Sequence, residues 1–473
     1  MSKYDYLIID IGSTYTKQRL FKNYELAATV QSPTTIDNVI KGINAGRDKM
    51  KAIINENNIN IEAKHVLASS SAAGGLRMVA MGYMANVTAK AAKEVAMNSG
   101  AKILEIVSNE DPADYRVQIL REINPDIILL AGGTDFGDET SLVENASLIV
   151  KSKIKGVVVI AGNIKVQADA AKILKEGNIA HIRVPNIMPT IHKLNVDDSR
   201  EAIHREFIKQ ITKAQGLSIL QEEITNDKII PTPGAVLMAS ELLAKGTYLE
   251  KGIGNIIVVD LGGATTDVHS VIPGLANLED EEIGLIVNNE KQISFRTVEG
   301  NLGMRLSAMG ILDTVNPKAI LLKRGIKDEE QLEEFIDYCK FVEDNAMHIA
   351  ENDKEYLFDT FLAETAVEVA LKRHAGYIST VADPVTGISP GMPIGRDLRN
   401  VETIIGVGGI FAHRPIEESK NIIKNALKDK GISLLPNNPN IIIDEKYSLY
   451  AGGIISQIDE EYAFQVLRRQ FIK

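Results

Sequence analysis

Tryptophan is absent from this 473-residue chain, and aromatic side chains make up only 5% of it. A surface built for stacking bases is therefore not expected. The single cysteine, Cys339, excludes an intramolecular disulfide and any multi-cysteine metal site. It falls in QLEEFIDYCKFVEDNAMHIA, which reads as helix with the thiol buried. The eight histidines show no HExxH or HxxxH spacing, so a helical zinc site is not expected. No apolar run reaches the ~20 residues of a membrane helix. The first residues, MSKYDYLIID, lack the apolar core of a signal peptide. A P-loop, G-x-x-x-x-G-K-[ST], is also missing, and GVGGIF places Phe411 where a dinucleotide fingerprint needs glycine. The net charge of −11 argues against non-specific binding of nucleic acid or anionic membrane. A cytoplasmic chain with neither kind of partner is expected.

What is present centres on Ile256 to Ser270, IIVVDLGGATTDVHS. The β-branched run Ile256–Val259 reads as a buried strand ending in Asp260. Gly262 and Gly263 let the backbone bend and approach a bulky anion. Thr265 and Thr266 offer hydroxyl donors to phosphate oxygens, and Asp267 adds a second acid. Two carboxylates at this spacing suit a hydrated Mg²⁺. Near the start of the chain, Tyr6–Asp10 runs into Ile11, Gly12, Ser13, Thr14, Tyr15, Thr16 and Lys17. Both stretches read D-[IL]-G-x-x-x-T and continue into a second apolar segment, so a strand–turn–strand motif occurs twice.

Between these motifs, strands alternate with helices, the pattern of a largely parallel sheet. The reading places a strand at Val66–Ala68 running into the small-residue loop at 69–75, then a helix over Arg77–Asn98. Strand–helix alternation follows from 103 to 185, and mainly helix from 190 to 230. A small-residue helix begins in PTPGAVLMA at 231–239. Beyond the second motif, Glu299–Arg305 reads as the start of a helix, and residues 327–381 read as charged, solvated helix. The strand Val401–Ile405 runs into Gly408 and Gly409, where an open backbone would let a sugar or base lie flat. The expected organisation is two lobes, 1–245 with an α/β insertion at about 76–190, and 246–473 with a helical insertion at about 327–381.

These residues resemble the actin, sugar-kinase and heat-shock-chaperone ATPases. DIGST at 10–14 is similar to that superfamily's first phosphate motif, and DLGGATTD at 260–267 to its second. Thr232–Gly246 and Tyr447–Ile454 resemble its connecting helices, and Val407–Phe411 its adenosine motif. The resemblance implies a duplicated actin-like ATPase (ribonuclease H-like) α/β fold, its two lobes closing on ATP. Asp10, Asp260 and Asp267 would serve catalysis and Mg²⁺. Gly12, Ser13, Thr14, Gly262, Gly263, Thr265, Gly408 and Gly409 would bind the nucleotide.

Within the superfamily the chain most resembles the glutamate (methylaspartate) mutase accessory family, labelled MutL or GlmL and unrelated to mismatch repair. YLIIDIGSTYTK, SSSAAGGLRMVAMG, PDIILLAGGTD, VEGNLGMR and VGGIFAH carry this likeness. It implies a reactivating chaperone for an adenosylcobalamin-dependent mutase. The cobalamin signature D-x-H-x-x-G is absent, which puts the cofactor in the partner. Two departures stand out: Thr232 replaces the superfamily's acid before Pro233, and Ile410 replaces the chaperones' serine. A small-molecule kinase and a non-hydrolysing, nucleotide-gated scaffold are the alternatives. The kinase would need an acid aimed at a substrate hydroxyl, and the cleft segments offer none.

Overall fold

The computed structural model describes residues 3–12, 15–35, 38–54, 61–70, 76–85, 91, 95, 101–190, 195–212, 224–225, 229–277, 293–382 and 389–472. Three strands open the chain as an antiparallel meander: β1 (Tyr4–Ile11), β2 (Tyr15–Lys22) and β3 (Glu25–Pro33). Asn23 and Tyr24 form the tight β2–β3 turn with φ of 50° and 67°, matching the right-handed twist of its flanking strands. A helix at Val39–Ile54 then covers one face and leads to β4 (Ala63–Ser70), which lies parallel to β1.

An inserted unit follows: β5 (Leu76–Gly82), β6 (Ala101–Ser108), β7 (Ile127–Leu130), β8 (Val157–Ile160) and β9 (His181–Arg183). Its all-parallel order is β6-β5-β7-β8-β9, with helices including Ala113–Ile123, Ser141–Ser152 and Gln167–Glu176. A helix at Asp197–Thr212 follows, and the chain rejoins the first sheet as β10 (Ile229–Pro231), parallel to β4. The first sheet therefore runs β10-β4-β1-β2-β3.

The second half repeats the plan. β11 (Ile256–Leu261), β12 (Thr266–Val271) and β13 (Ser294–Glu299) form the meander. Helices between Ala308 and His374 and a two-residue pair, β14 (Tyr377–Ile378) with β15 (Pro393–Ile394), come next. β16 (Thr403–Val407) is parallel to β11, and β17 (Asn440–Ile443) to β16, giving β13-β12-β11-β16-β17. Two sheets with the same order and the same single reversal of direction are a duplicated ribonuclease H-like fold, the actin-like ATPase plan. Among the described residues no helix is long and apolar enough to cross a membrane.

Each sheet's last strand leads to a helix, Thr232–Lys245 after β10 and Leu449–Ile455 after β17. The two helices meet back to back between the sheets. A Cβ on Gly453 would lie 1.8 Å from the Ala235 carbonyl oxygen, so only glycine permits this approach. The core here joins Ile8 and Leu67 of the first sheet to Val258 and Ile405 of the second through Ala235, Leu243, Ala451 and Ile454. The last helix, Glu460–Phe471, returns to the first sheet, where the Tyr462 hydroxyl donates to Asp5 at 2.9 Å.

Two expectations are corrected. Leu76–Gly82 is a strand, not the beginning of a helix. Met78, Val79, Ala80 and Met81 are fully buried, because a central parallel strand is covered on both faces and shows no alternation. Of the rest of that expected helix, 86–90, 92–94 and 96–98 lie outside the described residues. Glu299 closes β13 rather than opening a helix, which begins only at Ala308. The intervening N–H groups are diverted: Met304 donates to the Gly262 carbonyl, and Arg305 and Leu306 to that of Gly263.

Candidate nucleotide site

The β1–β2 and β11–β12 hairpins line one cleft of about 490 Å³. Each turn closes with the same backbone bond, Gly12 N–H to the Tyr15 carbonyl at 3.0 Å and Gly262 N–H to the Thr265 carbonyl at 2.9 Å. Cross-strand register pairs Asp10 with Lys17 in the first hairpin and Asp260 with Asp267 in the second. The repeated backbone thus carries an acid facing a base on one side and two facing acids on the other.

Asp10 is 2% exposed, and its Oδ1 accepts hydrogen bonds from Ser69 at 2.9 Å and Thr232 at 2.6 Å. Lys17 Nζ lies 3.8 Å from Oδ2 and 4.3 Å from the centre of the Tyr447 ring. Ser69 ends β4 and Thr232 begins the first connecting helix, so three separate segments fix one carboxylate. Asp260 is partly buried. Withdrawal from water, then the charges of Asp267, Asp10 and Asp444, push its carboxyl up to about 7 against the opposing pull of Lys17.

Asp267 is held from β13. Arg296 donates to its Oδ1 through Nε at 2.9 Å and Nη2 at 2.6 Å, and Thr265 donates to Oδ2 at 3.2 Å. The two charged side chains are 7% and 8% exposed. Arg305 forms a complete fork on Asp359, Nη1 to Oδ1 at 2.9 Å and Nη2 to Oδ2 at 2.8 Å. Its Nε donates to the His348 carbonyl, and the Tyr338 hydroxyl also reaches Asp359. This network braces the segment beneath Gly262 and Gly263 against the helical insertion.

Beside the second hairpin, β16 delivers Gly408 and Gly409 to the cleft. Gly408 has φ of 128°, and a Cβ there would stand 2.1 Å from the Leu261 carbonyl oxygen, inside the second hairpin. Asp10, Gly12, Asp260, Gly262, Gly263, Thr265, Asp267, Gly408 and Gly409 all line this one cleft, together with Thr232 and Ile410. Ser13 and Thr14 lie outside the described residues, as do 71–75 of the small-residue loop. Lys17, Arg296, Arg305 and Tyr447 also line it, and sequence reading gave them no role. For Lys17 a signal was available, since it aligns with Asp267 when the motifs are superposed.

Among the described residues, no group of three or more His, Cys, Asp or Glu side chains could hold a metal ion directly. The donor set still fits a hydrated divalent cation. Asp10 and Asp260 are hard oxygen donors on facing hairpins, and their mutual repulsion is what such a cation relieves.

Duplicated sheets, mirrored glycine turns and a shared cleft define a two-lobed protein of the actin-like ATPase class. A family model described as MutL protein matches residues 6–471. The chain is 36% identical over 477 aligned residues to Protein MutL of Clostridium tetanomorphum, covering 99% of each. The chain belongs to the MutL protein family. Among solved structures it is similar to nucleotide-free acetone carboxylase, with a TM-score of 0.41 at 12% identity over 96% of this chain and 70% of that one. It is also similar to component A of the Acidaminococcus fermentans (R)-2-hydroxyglutaryl-CoA dehydratase, with a TM-score of 0.32 at 8% identity over 98% of each chain. These likenesses are distant, and the fold rests on the strand orders.

Proposed function

We propose that the chain is an ATP-binding, slowly ATP-hydrolysing accessory factor that reactivates an adenosylcobalamin-dependent mutase, glutamate mutase foremost. One observation carries the nucleotide part: two hairpins, each with an acid beside a glycine turn, line a single cleft. Family membership supports the partner. On this reading the lobes are 1–245 and 246–473, working in the cytoplasm.

Asp10 and Asp260 would hold a hydrated Mg²⁺, and Asp267 would orient the attacking water. Mg²⁺, when bound, supplies the charge that draws phosphate oxygens between the hairpins. Gly12 and Gly262 close the turns and let the backbone approach the phosphates, N–H groups and hydroxyls at Ser13, Thr14, Gly263 and Thr265 donate to them, and Gly408 and Gly409 face the nucleoside. Lys17 adds a cation beside Asp10. Ser69 and Thr232 fix the Asp10 rotamer, so its carboxylate needs little reorganisation when the ligand arrives. Lobe closure favours one nucleotide state, and a partner preferring that state is held and then released.

A second reading is a nucleotide-gated scaffold without turnover. Thr232 stands where an acid would position water, and the candidate substitute, Asp267, is occupied by Arg296. Phosphate release from Mg-ATP, measured with and without purified glutamate mutase, decides between the two. Mutase-stimulated release is expected; tight binding without release beside the mutase establishes the scaffold. Phosphorylation of a sugar or acid without the mutase would sink both. A pull-down in Mg-ATP and in Mg-ADP that recovers no cobalamin-dependent enzyme removes the partner assignment and leaves the fold untouched.

A further inference from the structure

Three arginines line the cleft, and their bonding differs in kind. Arg414 donates to the Thr360 hydroxyl and the Tyr356 carbonyl. Arg305 is spent: its fork covers both oxygens of Asp359, and its Nε is on a carbonyl. Such bidentate pairs are strong and geometrically exclusive. Arg296 places Nε and Nη2 on a single oxygen of Asp267. A guanidinium has five N–H donors, so Nη1 and its two protons are not engaged by that carboxylate. The pair is side-on and offset, an arrangement that a better oxyanion can displace or share. It lies on the second hairpin's outer strand pair, beside the facing acids Asp260 and Asp267. The first sheet has no arginine in the equivalent place: Arg296 stands opposite His269, and the β3 residue opposite the matching Arg19 is the uncharged Thr29.

We propose that Arg296 discriminates between nucleoside triphosphate and diphosphate: its guanidinium bonds the terminal phosphate and in doing so loosens its hold on Asp267. The inference rests on the nucleotide reading of the cleft. In the resting chain the arginine and the acid silence each other. Arrival of a terminal phosphate gives Arg296 a charge-assisted partner and returns the Asp267 carboxylate to the cleft, where it can hold a water. The ion pair therefore makes the site's chemistry conditional on the ligand it should act upon. Arg296 is a specificity-determining residue, and the pair explains how an acid already bonded in the resting state can still serve turnover.

Arg296→Gln alone leaves Asp267 nearly buried with an unmatched charge, so the informative variant is Arg296→Gln combined with Asp267→Asn. Its affinities are compared by calorimetry with those of Asp267→Asn alone, for Mg-ATP, Mg-ADP and Mg-ADP with inorganic phosphate. Loss of one charged contact should weaken Mg-ATP binding about tenfold, with Mg-ADP unchanged within about twofold. Arg296→Lys should recover part of the Mg-ATP affinity. Equal losses for both nucleotides, or none, overturn the inference and leave the nucleotide reading standing. Absence of any Mg-nucleotide binding by the unaltered chain removes both. A lowered melting temperature without nucleotide selectivity makes Arg296 a structural partner of Asp267 and likewise overturns the inference.

Discussion

The two hairpins share a backbone and differ in the charge that faces the acid. Opposite Asp10 stands Lys17; opposite Asp260 stands Asp267. The turn bonds, the register and the parallel neighbour of the first strand are common to both. The first hairpin's acid is settled by a lysine on the facing strand 3.8 Å away and by two hydroxyls that β4 and the first connecting helix bring to one oxygen. The second leaves Asp260 unsettled beside a like charge and must bring Arg296 from a third strand to quiet Asp267. The repeated backbone makes a symmetric cradle, and the residue facing each acid, with the partners brought from other segments, sets the two sides apart.

The strongest test of that contrast removes one acid at a time. Asp10→Asn and Asp260→Asn should each weaken Mg-ATP binding by about 100-fold or more, the scale of a deleted charge partner of roughly 3 kcal/mol. Calorimetry that finds only one of them sensitive would break the symmetry of the cradle. Next in size, Asp267→Asn should retain Mg-ATP affinity and lose about 100-fold in turnover, the lower range for a positioned acid or base. Unchanged phosphate release would remove Asp267 from the chemistry.

Acidity gives a finer probe. Burial and neighbouring acids raise the folded carboxyl of Asp260 from 3.8 to about 7. Its stabilising contribution is therefore fully present below the unfolded value and is lost as pH rises through about 7. Cation binding needs the charged form, so Mg-ATP affinity should rise between pH 6 and 8, by up to about tenfold per unit below the midpoint. Asp267→Asn should move that midpoint downward, since Asp267 is the largest charge raising it; an unmoved midpoint would show that the two acids do not interact. The smallest expected effect is at Thr232. Thr232→Val removes one hydrogen bond to Asp10 and should cost about 1–3 kcal/mol in stability, with the acceptor left nearly buried. A melting temperature equal to that of the unaltered chain would show that Ser69 alone suffices.

The cradle was legible in the sequence because each half is local: strand, acid, glycine turn and threonine lie within eight residues of Asp10 or Asp260. The partners brought to these acids from other segments were not. Thr232 reaches Asp10 across 222 positions, and Arg296 reaches Asp267 across 29, from a strand whose end was read as the start of a helix. A central strand such as Leu76–Gly82 hides for a different reason, since being covered on both faces erases the alternation that marks a strand. Sequence showed where charge would be concentrated; tertiary structure decided how it is balanced.

The contact between Gly453 and the Ala235 carbonyl acts as an axle without clearance. At that one point the two helices touch backbone to backbone, with no side chain between them to compress. On the proposed two-lobe reading, motion between the halves is expected as rotation about that crossing, with the cleft opening like a jaw. Gly453→Ala would insert a shim into this bearing. It should reset the resting angle of the jaw and alter nucleotide affinity from a position that touches no nucleotide.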